Sequence, residues 1–227
     1  MSVSQATESP TWRPKAIIFD LLTGLIDSWT LWDASTPSRT PEEGRRWRAH
    51  YLATTFAVGA YTPYEDHVRE AARAVGLPES APEALLRDWG TLQAWPEAGE
   101  ILGQLKARGY KLGVVTNCSI RMGNVAAQRV SERVGAAAGD GVFDAVVTAE
   151  ESGFYKPVGK AYEAILVALG VDARDALFVA GSAGDVDGAT KAGMKVVWHN
   201  RVGLDKKGDA VPLREGRTLD DTLRDFL

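Results

Sequence analysis

The sequence predicts an α/β protein: a doubly wound, mostly parallel sheet with an α-helical cap inserted after its first strand. Two observations carry this. After residue 95, short apolar runs alternate with helical patterns, as in a sheet whose parallel strands are joined by helices. Between residues 29 and 94 that alternation stops, and helical periodicity continues without any strand-like run.

The strands come first. Ala16 to Phe19, Leu112 to Val115, Ala145 to Val147 and Ala176 to Val179 are short, continuous and apolar, as strands buried on both faces are, and Lys195 to Trp198 follows as a fifth. The spacing predicts helices over Glu97–Arg108, Arg121–Val134, Gly159–Leu169 and Val186–Ala192. In the inserted block it predicts helices over Glu42–Ala57, Tyr64–Val75 and Pro82–Trp89. Pro41 and Pro63 sit where first turns begin, and Gly76 where a helix ends. The division expected is a core at 12–28 and 95–227, a cap at 29–94, and a polar, disordered leader at 1–11. The seven tryptophans fall mostly in or beside the block, where they fill a small cap and its seam or wall an apolar pocket.

Composition narrows the class of function. Hydrophobic residues make up 45% and charged residues 25%, an ordinary soluble balance. The net charge of −4 leaves no basic surplus to neutralise phosphates, so no nucleic-acid partner is expected. No apolar run reaches membrane-spanning length. Cys118 is the single cysteine, which excludes an intrachain disulfide and fits a reducing, cytoplasmic setting.

Polar residues then gather at strand ends, where doubly wound sheets place their sites. Asp20 follows the first strand and leads into Leu21-Leu22-Thr23-Gly24; Thr116-Asn117 follows the second. Lys156-Pro157 precedes a helix that carries Tyr162, and Gly181-Ser182-Ala183-Gly184-Asp185 follows the fourth strand. Taken singly, each has a plainer reading: a capping Asp, a helix-opening Thr-Asn, a surface Lys, a glycine turn. His50, His67 and His199 read as ordinary core or surface residues, and Cys118 as a small packed one.

Together, in type, order and spacing, the four elements resemble the four motifs of the haloacid dehalogenase superfamily, from Ile17 to Asn200. The resemblance implies that superfamily's Rossmann-like core and a nucleophilic Asp20. Its phosphatases carry a second Asp two residues on and another before the Ser of the fourth motif, the latter holding magnesium. Those positions here are Leu22 and Gly181. Both losses point to the 2-haloacid dehalogenase branch, which needs neither metal nor cofactor. Its Trp-Arg pair in the first cap helix is similar to Trp47-Arg48, and its Lys-Pro-x-x-x-x-Tyr spacing to Lys156, Pro157 and Tyr162. The departures are the missing Tyr after the nucleophile, exchanged Gly and Thr at 23–24, and Ala180, Ser182 and Gly184 in the fourth motif.

The resemblance implies a mechanism. Asp20 displaces the group at C2 of a small carboxylic acid, giving an aspartyl ester. Lys156 keeps Asp20 ionised, Arg48 and Asn117 receive the departing anion, and Asp185 activates water. Thr116, Ser182 and the amides of the Leu22–Thr23 loop hold the substrate carboxylate, with Tyr162 alongside. The same chemistry in similar proteins opens azetidine-2-carboxylate, which is the alternative. A phosphatase with relocated ligands, using Asp187 or Glu151, and a non-catalytic binder are the remaining readings. A helical cap could form a homodimer surface, as in similar proteins, and the sequence leaves the oligomeric state open.

Overall fold

In the computed structural model, residues 12–135 and 141–227 are described; the expected leader at 1–11 lies outside them. Six strands form one parallel sheet: β1 (Ala16–Phe19), β4 (Lys111–Thr116), β5 (Ala145–Thr148), β6 (Ala176–Ala180), β7 (Lys195–His199) and β8 (Arg214–Gly216). Their order is β5-β4-β1-β6-β7-β8, so the chain reverses direction across β1. That reversal opens the crevice between the ends of β4, β1 and β6.

Alternation along each strand sorts the core into two layers. Ile17, Phe19, Leu112, Val114, Leu177 and Val179 face α5 (Ala98–Ala107), α6 (Ile120–Val134) and α10 (Leu219–Leu223). Ala16, Ile18, Val115, Phe178 and Ala180 face α8 (Gly159–Leu169) and α9 (Ala183–Lys191). A short helix, α7 (Ala149–Ser152), starts from a capping box in which Thr148 and Glu151 satisfy each other's backbone amides.

Between β1 and α5 come α1 (Ser28–Ala34), α2 (Pro41–Val58), α3 (Tyr64–Ala74) and α4 (Ser80–Arg87). A two-residue antiparallel ribbon, β2 (Ile26–Asp27) with β3 (Gln93–Ala94), fastens the two crossings to each other. A second fastening joins the cap to the core near the site. Ala60 bridges Phe154, Tyr61 N donates to Gly153 O, and Tyr155 N donates to Gly59 O. Trp32, Trp47 and Trp89 are buried in the same apolar cluster as Phe19 and Val114, so they pack the seam.

The predicted elements are present, with ends shifted by a few residues; the last strand-flanking helix begins at Ala183 rather than Val186. Besides the short helices α7 and α10, three features have no counterpart in the expectation. α1 is seven residues, begun by the Asp27 side chain accepting from Thr30 N, and too short to show a repeating apolar stripe. β8 reads Arg-Glu-Gly, and as an edge strand it carries no continuous apolar run. The β2–β3 ribbon is too brief to leave a sequence period. Among the described residues, no helix is long and apolar enough to cross a membrane.

Candidate active site

Asp20 leaves β1 with its amide still bonded to Val179 O at 3.0 Å, which fixes it over the crevice. Its carboxylate is 6% exposed and fully engaged. Oδ2 accepts from Thr23 Oγ1 at 2.6 Å and from the amides of Thr23 and Gly24, both at 3.1 Å. Oδ1 accepts one bond, from Lys156 Nζ at 2.8 Å.

The loop that supplies those amides is held from behind. Ser28 Oγ donates to Leu22 O, Trp95 Nε1 to Thr23 O at 3.0 Å, and His199 Nδ1 to Gly24 O at 2.8 Å. Three consecutive carbonyls are thus tied down, and the amides of Thr23 and Gly24 face Asp20, so the Thr23 amide, expected to hold a substrate carboxylate, is instead committed to Asp20. His199, which the sequence leaves unconnected to the site, therefore supports it, in the tautomer protonated at Nδ1. Neither His50 nor His67 lines the cleft.

Lys156 is 1% exposed and stands between two carboxylates, with Asp185 Oδ2 at 3.0 Å on its other side. Its backbone is clamped by one side chain: Asn117 Nδ2 donates to Lys156 O at 3.0 Å and Asn117 Oδ1 accepts from Lys156 N at 2.7 Å. The amide of Asn117, expected to face a departing anion, is instead committed to holding Lys156. Asp185 also accepts from Ser182 Oγ at 3.1 Å and from Tyr162 Oη at 2.9 Å. Tyr162 stands behind Asp185 and does not line the cleft, contrary to the expectation that it touches substrate.

Charge sets the protonation of the group. Burial alone would raise the Asp20 carboxyl, but the Lys156 charge and the bonds from Lys156 and Thr23 outweigh it and hold it below the ordinary carboxylate range. For Asp185 burial prevails, aided by the Asp20 charge, and its pKa rises despite Lys156. Burial works against the Lys156 ammonium, yet Asp185 and Asp20 together raise it. One carboxylate is thereby a firm anion and the other a better proton acceptor.

The cap contributes Arg48 from α2. It is 2% exposed and lies flat on the Trp29 ring, its guanidinium carbon 3.9 Å from the centroid. Its Nε and Nη1 are buried and have no protein partner. Burial lowers its pKa to about 10, which leaves it a cation at neutral pH. Asp20, Leu22, Thr23, Arg48, Thr116, Asn117, Lys156, Ser182 and Asp185 line one cleft, closed on the cap side by Tyr51, Leu52 and Phe56. Leu52 and Phe56 lie four and eight residues beyond Arg48, on the same helix face, a spacing that could have flagged them.

Gly181 explains a departure in the motifs. A Cβ there would lie 2.6 Å from Asp20 Oδ2 and 2.4 Å from Thr23 Oγ1. The side chain of Thr23 and the Asp20 carboxylate thus occupy the space that any side chain at 181 would need. Among the described residues no group of three His, Cys, Asp or Glu side chains is arranged to hold a metal ion. Cys118 is buried, with its thiol pushed up to about 12 by burial, and behaves as packing.

Residues 14–193 match the family described as haloacid dehalogenase-like hydrolase. The chain belongs to that family. This hydrolase is 30% identical over 201 residues to an (S)-2-haloacid dehalogenase of Pseudomonas sp. (strain YL), covering 83% of this chain and 84% of the relative. It is also 32% identical over 200 residues to a phosphoglycolate phosphatase of Rhodospirillum rubrum, covering 81% and 78%. A crystal structure of an L-2-haloacid dehalogenase superposes with a TM-score of 0.78 at 27% identity, covering 94% of this chain and 99% of that one. Identity alone does not separate the two chemistries among its relatives, so the site must.

Proposed function

We propose that this hydrolase is a 2-haloacid dehalogenase that works through an ester on Asp20. The observation that carries the reading is a buried Arg48 guanidinium with unpartnered donors across the cleft from a carboxylate held ionised by Lys156. A buried cation without a counter-ion is costly until an anion arrives, and a departing halide is such an anion. The absence of a proton donor at Leu22 and of a carboxylate at Gly181 argues against phosphoryl transfer.

Oδ1 of Asp20 carries a single hydrogen bond and attacks C2 as the carbon–halogen bond breaks and the electron pair leaves with halide, inverting the carbon. Thr116, which lines the cleft, holds the substrate carboxylate, while the Ser182 hydroxyl stays on Asp185. Water then adds to Cγ of Asp20, giving one proton to Asp185. Negative charge develops on Oδ2, where Thr23 N, Thr23 Oγ1 and Gly24 N already donate, so no reorganisation is needed. Collapse breaks the bond between Cγ and the ester oxygen. The leaving alkoxide takes the proton from Asp185, and Asp20 is restored after losing the second proton to solvent. The products are a 2-hydroxy acid, halide and one proton.

Opening of azetidine-2-carboxylate fits less well. Its nitrogen leaves only when protonated, and Arg48 would repel that cation. Halide release from 2-chloropropionate, set against primary-amine formation from azetidine-2-carboxylate, separates the two. A single turnover in heavy-oxygen water, with enzyme in excess, should give 2-hydroxy acid without label. Label in that first product would mean direct attack by water and would end the ester mechanism.

A further inference from the structure

The cleft that holds Asp20 leaves only about 30 Å³ free, enough for a small acid's reacting end and little more. Beside it lies a much larger space of about 460 Å³. The two share a wall made of Leu52, Phe56 and Ser182. On its far side α2 presents Ala49, Ala53 and Ala57, each four residues apart, and Trp29 forms one end. The start of α9 supplies Ala183 and Gly184, and the charges of Asp205 and Lys207 stand among the lining residues of the 201–213 loop. These three alanines are exposed, so the space is an open apolar groove and not a packing defect.

Gly184 decides how the wall stands. A Cβ at that position would come 2.4 Å from Cε1 and 2.8 Å from Cδ1 of Phe56. The Phe56 ring therefore rests directly on the α9 backbone, filling volume that any larger residue at 184 would take. Phe56 and Leu52 are only half-buried. Ser182, which lines both spaces, is held between them by donating its hydroxyl to Asp185 Oδ2 at 3.1 Å.

Resting on the dehalogenase reading for its reaction, we propose that this groove is a subsite for the alkyl chain of 2-substituted acids longer than propanoate. The carboxylate and C2 stay in the cleft, and the chain at C2 passes Phe56 into the groove between α2 and α9. The substrate class is a medium-chain 2-halocarboxylic acid, with Phe56 and Gly184 setting how freely the chain enters. Small side chains at 49, 53 and 57 provide the room, and the apolar walls provide the gain from removing methylenes from water.

Saturated acids test the subsite apart from the reaction, because they carry no leaving group. Calorimetric titration of the intact protein with propanoate, hexanoate and octanoate should show affinity rising about two- to fourfold per methylene, the upper figure being full burial. Ala53→Trp, a change at an exposed helix position, should flatten that rise, and Phe56→Ala should steepen the ratio of kcat/KM for 2-bromooctanoate over 2-bromopropionate. Octanoate binding no tighter than propanoate, no binding at any length, or a rise untouched by Ala53→Trp overturns the subsite. A rise with no halide released from any 2-bromo acid would instead remove the dehalogenase reading and leave the groove standing as an acyl-chain site. Turnover of 2-bromopropionate with a flat rise would remove the subsite alone.

Discussion

On the sheet side of the cleft, Lys156 donates to Asp20 at 2.8 Å and to Asp185 at 3.0 Å, so two carboxylates share one bonded cation. On the cap side, Arg48 is as deeply buried, yet its Nε and Nη1 have no protein partner and its support is the face of Trp29. One side is hydrogen-bonded within the protein, and the other keeps two guanidinium donors free. The difference teaches where folding and function part company: the bonded charges hold the fold together, while the proposed function gives the free donors to an anion.

Removing the cation from the paired side should have the largest effect. Lys156→Met leaves two buried carboxylates facing each other, and loss of one partner from such a group costs about 3–5 kcal/mol. Activity should fall by about 10²–10³ as well, the scale of a lost electrostatic contact. Thermal and denaturant unfolding measure the first quantity and halide release the second. Unchanged stability would mean that the three charges are not coupled as their distances indicate. Asp20→Asn should abolish turnover while keeping the fold, since Lys156 retains Asp185.

Arg48→Met sharpens the contrast. Activity should drop by a similar factor of about 10²–10³, but unfolding should occur at the same or higher denaturant, because a buried cation with two unbonded donors has been removed. A clear loss of stability in Arg48→Met would make the two sides alike and defeat the comparison. A smaller effect follows from mass action. Bromide should raise the melting temperature of the wild type beyond its effect on Arg48→Met, by RT ln(1 + [L]/Kd) for a site present only in the folded state. At a concentration ten times Kd that is about 1.4 kcal/mol.

Legibility in the sequence divides along the same line. Asp20, Thr116, Lys156 and Asp185 were readable because each follows or flanks an element whose period is visible, and the sheet order brings their ends together. Arg48 was readable only through its resemblance to a cap motif. Leu52 and Phe56 share a helix face with Arg48, but that spacing alone does not tell a groove wall from packing, since apolar residues on a half-buried helix serve either. Trp95 and His199 hold the carbonyls of Thr23 and Gly24 across 72 and 175 residues of chain, and nothing local marks such partners. Asn117 and Tyr162 had the right neighbourhood but different tasks, one clamping the Lys156 backbone and the other bonded to Asp185.

Tyr162 gives the finest test. Its hydroxyl donates to Asp185 Oδ1 and favours the ionised carboxylate, against the upward push of burial and of the Asp20 charge. Tyr162→Phe removes a group that lowers the pKa and adds none that raises it, so the Asp185 pKa should climb further. In the proposed mechanism water activation needs Asp185 ionised, so the rate should fall as pH drops through that pKa. In Tyr162→Phe the acid limb of kcat should move to higher pH, with the plateau at alkaline pH little changed. A merely structural role for the hydroxyl would lower the whole profile without moving the limb. A limb displaced toward lower pH would mean that the group limiting the rate is not Asp185, and the sheet side would then need a different base.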